Sequence, residues 1–313
     1  MKKILITGVN GFVGRHLAAS LIASGYEVFG ITRKDSHPPA LLRGQTFNCS
    51  VTDASGVSRI VSDLKPDTVI HLAAAHGPSS RTVQGAQVTI ETNIEGTLAV
   101  LDACRTAHTG VILVSSSAVY SPSPDPIAEE SLLSLDTPYA LSKYGAECCA
   151  KFFADRHQIP LTIVRPFQHS GGGQKPITFV SSLLQQIAQI EQGLRKPIIH
   201  IENPENLRDY LDVGDVVSAY QLLLEHEMKG DIFNVCSGRQ LSIRQIAQAA
   251  VGLAKVPIEI CESVSGEPSV SVGSHEKLTR ETGWHPQFDF LNNTLHHLLQ
   301  YWRDYYSQLK ANG

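Results

Sequence analysis

The chain has no C-x-x-C pair and no H-E-x-x-H. Its six cysteines (Cys49, Cys104, Cys148, Cys149, Cys236 and Cys261) follow no disulfide-scaffold spacing. Free thiols in a reducing cytoplasm are therefore expected, and no metal site. No apolar run approaches the roughly 20 residues that a membrane span needs. The apolar start at Ile4-Leu5-Ile6 could mimic a signal peptide, but Gly8, Asn10 and Gly11 interrupt it at once, so no secretory leader is expected there. Basic residues are not in excess: 26 Lys and Arg stand against 30 Asp and Glu, a net charge of −4. Nucleic acid is an unfavoured partner on that balance. What is left is the composition of a globular protein, 42% hydrophobic and 18% charged over 313 residues. That length suffices for one large domain or two closely joined ones.

The organising stretch is Thr7-Gly8-Val9-Asn10-Gly11-Phe12-Val13-Gly14. Before it, Lys3-Ile4-Leu5-Ile6 reads as a buried parallel strand. After it, residues 12–24 read as an amphipathic helix with Phe12, Leu17, Leu21 and Ile22 on one face. Strand, glycine loop and helix in that order make a phosphate cradle. Gly8 permits a tight turn, Gly11 removes a Cβ where a pyrophosphate must approach, and Gly14 lets helix and strand pack closely. The N–H groups at the helix start face the phosphates.

Strand and helix then alternate. Strands are expected at residues 27–32, 46–51, 68–72, 111–114 and 161–165, with helices at 53–64 (capped by Asp53) and 88–107. That alternation predicts an α/β fold, a doubly wound parallel sheet of the Rossmann type covered on both faces. An acidic residue closing the second strand would hold a ribose 2′-hydroxyl, whereas an arginine accommodates a 2′-phosphate. This chain has Thr32-Arg33-Lys34, with no carboxylate before Asp35, which favours NADP and leaves NAD open.

The fifth strand runs into Ser115-Ser116-Ser117, and Pro138-Tyr139-Ala140-Leu141-Ser142-Lys143 follows some way downstream. Tyr139 and Lys143, four apart at a helix start, share one face. An ammonium beside a phenol lowers its pKa, so Tyr139 could exchange a proton with a carbonyl oxygen. A strand-end serine can bond the same oxygen.

On these residues, with His71-Leu72-Ala73-Ala74, Asn93, Arg165-Pro166-Phe167, residues 208–213 and Gly283-Trp284-His285-Pro286, the chain resembles the extended short-chain dehydrogenase/reductases over nearly its whole length. These are the nucleotide-sugar epimerases, dehydratases and reductases. Within that group it is most similar to the GDP-4-keto-6-deoxy-D-mannose reductases, through residues 62–67, 167–174 and 230–238. The resemblance implies that Tyr139 donates the proton, Lys143 binds the nicotinamide ribose and tunes the tyrosine, and Ser116 steadies the reacting oxygen. It places the cofactor against Gly8, Asn10, Gly11, Phe12, Val13 and Gly14 at one end. Arg33, Leu72, Ala73, Ala74, Asn93 and Pro166 complete that site with Tyr139 and Lys143. Ser117, Gln168 and Arg208 are implied on the substrate side, in a homodimeric, cytoplasmic enzyme.

It also implies a cofactor domain of residues 1–166 with a return at about 208–236. A smaller, discontinuous domain of residues 167–207 and 237–313 would close over the nucleotide-sugar. Within it helices are expected at 179–192, after Ser242 as far as 254, and at 290–309. Arg208 suits a diphosphate, against the alternative of a surface pair with Asp209 or Asp212.

The sequence departs from its relatives at Ser50, where an aspartate is usual, and at Gln168 and Gly172, which replace an asparagine and a proline. Residues 265–268 also lack an arginine. The leading expectation is reduction of the C4 ketone of a nucleotide-activated 4-keto-6-deoxy sugar. The alternative is a 4-epimerase holding NAD permanently, and the remote one a non-catalytic NADP-sensing protein. A dehydratase would need an Asp-Glu pair where this chain has Ser117 and Ala118. Ala118 also stands where the C3/C5-epimerising synthases use a cysteine.

Overall fold

The structure, a computed structural model, describes residues 1–33, 39–75 and 82–311. The first half alternates as β1 (Lys3–Thr7), α1 (Phe12–Ala23), β2 (Glu27–Thr32), β3 (Thr46–Asn48), α2 (Ala54–Leu64) and β4 (Thr68–His71). Then come α3 (Val83–Ile90), α4 (Gly96–Ala107), β5 (Gly110–Val114), α5 (Pro138–His157) and β6 (Leu161–Pro166). The second half is more broken: β7 (Gln168–Ser170), α6 (Phe179–Glu191), β8 (Ile198–Glu202), β9 (Leu207–Arg208), β10 (Tyr210–Asp212), α7 (Val213–Leu223) and β11 (Lys229–Val235). It ends with β12 (Leu241–Ser242), α8 (Ile243–Gly252), β13 (Glu259–Ser263), β14 (Val270–Ser271), α9 (Glu276–Thr282) and α10 (Leu295–Ala311).

Among the described residues, seven strands form one sheet in the order β11-β6-β5-β4-β1-β2-β3. Every pairing in it is parallel. This is the expected Rossmann-type doubly wound sheet. The chain leaves β1 towards β2 on one side and β4 on the other, so a crevice opens above the carboxyl end of β1.

Period-two alternation decides which residue faces which helix layer. Ile4 and Ile6 pack with Leu17 and Leu21 of α1 and Val216 and Tyr220 of α7. Leu5, between them, packs on the other face with Val57 of α2, Val100 and Leu101 of α4, and Ala150 of α5. A third apolar cluster lies off the sheet, joining Val180 and Leu184 of α6, Ile199 and Ile201 of β8, Ile246 of α8, and Leu298 and Trp302 of α10.

Several expected boundaries move. The third strand ends at Asn48 rather than at 51, because the chain turns at Ser50 and sends Val51 against Gly96 of α4. The helical run expected from Val88 begins at Val83 and passes through a π-turn at Glu91–Glu95 before α4. Ile22 leaves the core face: Gly14, Leu17, Ala18 and Leu21 already fill the buried stripe, and Ile22 falls at its solvent rim. Asp53 caps α2 as expected, accepting the Gly56 N–H at 3.0 Å. Ser242 and Gln245 form a capping box on α8, which ends at Gly252, two residues earlier than expected. Lys34 and Asp35 lie outside the described residues.

Candidate active site

The crevice above β1 opens into a cleft of about 700 Å³ that runs from the glycine loop to the second half of the chain. Gly8 takes φ +72°, and a Cβ there would stand 3.0 Å from the Ala73 backbone. A Cβ at Gly14 would meet the Gly8 carbonyl at 2.5 Å. Both positions therefore exclude side chains, by conformation in one case and by close packing in the other. Helix α1 begins with no side-chain cap and no acidic residue in its first turn. Its N–H groups are left to face the cleft, as an anion site requires. Asn10 donates its Nδ2 to Thr32 Oγ1 at 2.8 Å, and its buried Oδ1 has no partner among the described residues. Arg33 emerges exposed at the end of β2. These residues fit a dinucleotide: a Cβ-free cradle, a positive helix end and, beyond β2, a cation.

At the other side of the cleft lie the reactive groups. Thr137 caps α5 by accepting the Ala140 N–H, with Pro138 in the first turn, so the helix starts where Tyr139 must be aimed. Lys143, one turn on, is buried and donates its Nζ to Val114 O at 2.7 Å, at the end of β5. Its Nζ stands 5.9 Å from the centre of the Tyr139 ring. Ser116 begins a short turn after β5 and hydrogen-bonds the Tyr139 phenol. So the three expected groups meet, each from a different local device: a capped helix, a buried helix face and a strand end.

Their electrostatics differ from expectation in one respect. Burial pushes the Tyr139 phenol up, and the Ser116 hydrogen bond only partly opposes it. The expected depression by Lys143 is thus not the net direction, because burial of the phenol outweighs what favours the phenolate. Burial lowers Lys143 to about 8, and the nearby Glu147 carboxylate works against that fall. A neutral phenol and a charged ammonium at neutral pH are the outcome. His71, at the end of β4, is pushed down to about 3 by burial and by Lys143, so it is neutral there.

Gly8, Gly11, Phe12, Val13, Gly14, Leu72 and Ala74 line the cleft together with Ser116, Ser117, Tyr139, Lys143, Pro166, Gln168 and Arg208. Ala73 stays behind the wall, its N–H given to Thr7 Oγ1 at 3.2 Å. Asn93 is not brought to the surface of the cleft. Buried in the π-turn, it accepts the Ala75 N–H at 2.7 Å and donates to Ala75 O and Ser142 Oγ, fixing the backbone after β4. Arg208 pairs with neither Asp209 nor Asp212. Its guanidinium donates to Leu207 O, Ser269 O and Ser269 Oγ, while Asp209 accepts from Ser237, Gly238 and Gly273 and Asp212 caps α7.

Four further wall residues carried no sequence signal of their own. His169 gives its Nδ1–H to Phe167 O at 2.8 Å, Gln174 donates to His169 O, and Tyr210 and the buried Tyr220 face the same space. His169 and Gln174 stood within the 167–174 stretch and Tyr210 beside Arg208, but none had been given a role, and Tyr220 stood in no stretch singled out.

A glycine cradle and a Ser-Tyr-Lys group in one cleft of a doubly wound sheet define a nicotinamide-dependent oxidoreductase. The chain belongs to the NAD dependent epimerase/dehydratase family, which matches residues 4–236. It is 32% identical to the GDP-6-deoxy-D-mannose reductase of Pseudomonas aeruginosa over 96% of this chain and 97% of that protein. The structure of RMD from Pseudomonas aeruginosa complexed with NADPH superposes with a TM-score of 0.84 at 30% identity, covering 97% of this chain and 100% of that one. A Thermus thermophilus UDP-glucose 4-epimerase in complex with NAD also matches, with a TM-score of 0.84, 25% identity, and 96% and 99% of the two chains covered.

Proposed function

We propose that this protein uses NADPH, and NADH less well, to reduce the C4 ketone of a nucleotide-activated 4-keto-6-deoxy sugar to the alcohol. The observation that carries the reading is the convergence of Ser116, Tyr139 and Lys143 at one end of a cleft whose other end is the glycine cradle. The similarity to the Pseudomonas reductase supports the substrate class.

The chain's own groups divide the work. The Gly8–Gly14 loop and the start of α1 hold the pyrophosphate, and Arg33 takes the 2′-phosphate. NADPH, when bound, supplies the hydride that reaches C4. Tyr139, kept protonated by burial, gives its proton to the C4 oxygen, and Ser116 hydrogen-bonds that oxygen. Lys143 spends one N–H on Val114 O and directs the others to the nicotinamide ribose and the phenol. On the far side Ser117 and Gln168 face the sugar and Arg208 the diphosphate, its guanidinium held by Leu207 O, Ser269 O and Ser269 Oγ with no carboxylate pairing it among the described residues. The ketone, NADPH and one proton thus become the alcohol and NADP⁺.

The same reading divides the chain at 1–166 with the return at 208–236 for the cofactor, and 167–207 with 237–313 for the nucleotide-sugar. The separate apolar cluster around α6, α8 and α10 supports that division. Exposed Val83, Val88, Leu141 and Phe152 on α3 and α5 support a homodimer built on those helices. Six unpaired cysteines are in keeping with a cytoplasmic setting.

A 4-epimerase is the second reading, favoured by the likeness to the Thermus enzyme. Cofactor handling separates the two. A reductase must release its cofactor each turnover, whereas an epimerase keeps NAD through both half-reactions. The test is a panel of nucleotide-sugars scored for thermal stabilisation and for NADPH consumption. Consumption with a 4-keto-6-deoxy sugar is expected. Interconversion of 4-hydroxy sugars on retained NAD would replace this reading with the second.

A further inference from the structure

Lys143 and Glu147 stand one helical turn apart on the buried face of α5, and both reach the end of β5. Lys143 donates to Val114 O at 2.7 Å, and Ser115 Oγ donates to Glu147 Oε1. The helix is thus fixed to the strand by two rungs at consecutive residues, directly before Ser116. From the next strand, Arg165 closes the clamp with two parallel bonds, Nε to Oε1 at 2.9 Å and Nη2 to Oε2 at 2.6 Å. Its Nη1 continues to Tyr120 Oη at 2.8 Å and Glu129 O at 3.1 Å. Tyr120 then donates to Asn234 of β11 at 2.7 Å. The two paired side chains are only 3% and 2% exposed. A buried pair of this kind adds little net stability over an apolar replacement, and what it supplies is fixed geometry.

We propose that Glu147 is a positioning residue for the reduction: held by Arg165 and Ser115, it sets α5 on β5 and places a carboxylate beside the Lys143 ammonium. This rests on the roles given above to Tyr139 and Lys143. Burial drives Lys143 down, and the charge of Glu147 opposes that fall. The other titratable groups facing the lysine are Tyr139 on its own helix and His71 at the end of β4, which is neutral. Arg165 on β6 reaches it through Glu147, and Tyr220 on α7 faces Tyr139. Removing the Glu147 charge leaves burial unopposed and exposes Lys143 to the positive Arg165. The lysine then loses its proton at lower pH.

NMR of protein carrying ¹³C at the lysine ε-carbons measures this directly, with Lys143→Arg to assign the signal. In Glu147→Gln the Lys143 midpoint, about 8 in the wild type, is expected to fall by about one pH unit, so that NADPH-dependent turnover drops roughly sixfold more at about pH 8.5 than at about pH 6.5. Should that variant not fold, Glu147→Gln/Arg165→Gln leaves no orphaned charge and is expected to move the midpoint the same way. Ser115→Ala keeps the ion pair but removes a rung, and should lower kcat about fivefold with the NADPH KM within about twofold. An unmoved midpoint in whichever variant folds, a loss equal at every pH, or a wild-type kcat in Ser115→Ala overturns the proposal. A lowered midpoint in a protein that turns over no 4-keto nucleotide-sugar upholds the clamp and overturns the reading of the reaction instead.

Discussion

The ring of Phe12 lies stacked on the imidazole of His169, 10° from parallel with centroids 6.0 Å apart. Phe12 opens α1 behind the glycine loop and His169 belongs to β7, and both line the cleft. A second link runs beside it, His16 Nε2 to Gly172 O at 2.8 Å. The two halves of the cleft are therefore joined through α1. A stacked pair of this kind contributes about 0.5–1.5 kcal/mol, so Phe12→Ala is expected to raise the KM for NADPH and for the sugar together by roughly three- to tenfold. Steady-state kinetics with each substrate varied in turn checks it. A rise confined to the cofactor would deny the coupling.

Tyr139→Phe keeps the ring and removes the acid. Loss of general acid catalysis is expected to lower kcat by roughly 10²–10⁴ while the NADPH dissociation constant changes little. Fluorescence titration beside the kinetics checks both halves. Activity above about a tenth of wild type would place the proton donor elsewhere.

The strand-loop-helix at residues 3–23 and the Tyr139/Lys143 pair were legible because local spacing determines them: a glycine either fits its turn or does not, and four residues make one helical turn. What was not legible depends on residues distant in sequence. The direction of the Tyr139 shift follows from how much protein surrounds the phenol, which spacing does not reveal. His169, Gln174 and Tyr220 reach the cleft only because β7 and α7 are folded against it. Asn93 was expected against the cofactor, whereas its place behind the cleft, bonded to the Ala75 backbone, depends on a π-turn that no periodicity announces.

On the proposed reading, Arg33 sets the preference for NADPH over NADH. If it holds a 2′-phosphate, a charge-assisted contact of about 1.5–3 kcal/mol is lost in Arg33→Ala, raising the KM for NADPH by roughly 10- to 100-fold. The KM for NADH should stay close to wild type. Equal changes for the two cofactors would remove the NADP assignment.

His71 makes the fold sensitive to acid. Thr7 Oγ1 accepts the Ala73 N–H and shares a hydrogen bond with His71 Nδ1, 2.7 Å away. The folded imidazole titrates near 3, below its ordinary value of 6.5. The unfolded chain therefore binds the proton first, and stability falls as pH drops from about 6.5 towards 3. The slope from this group approaches about 1.4 kcal/mol per pH unit. Urea unfolding at about pH 7 and pH 5 should show His71→Asn losing roughly 2 kcal/mol less than wild type over that interval. Parallel losses in the two proteins would show that the imidazole is not the titrating group.

The account stands on hydride transfer to C4 with exchange of the cofactor at each turnover. Protein purified without added nicotinamide should release well under one cofactor per chain on denaturation. Given NADPH deuterated at the transferred position and a GDP-4-keto-6-deoxy sugar, it should place one deuterium at C4 of the product for each NADPH consumed. In heavy water with ordinary NADPH, no label should enter C3 or C5, since Ala118 offers no proton-transferring group. Near-full occupancy by tightly held NAD, with 4-hydroxy sugars interconverting and no net use of NADPH, would contradict the account.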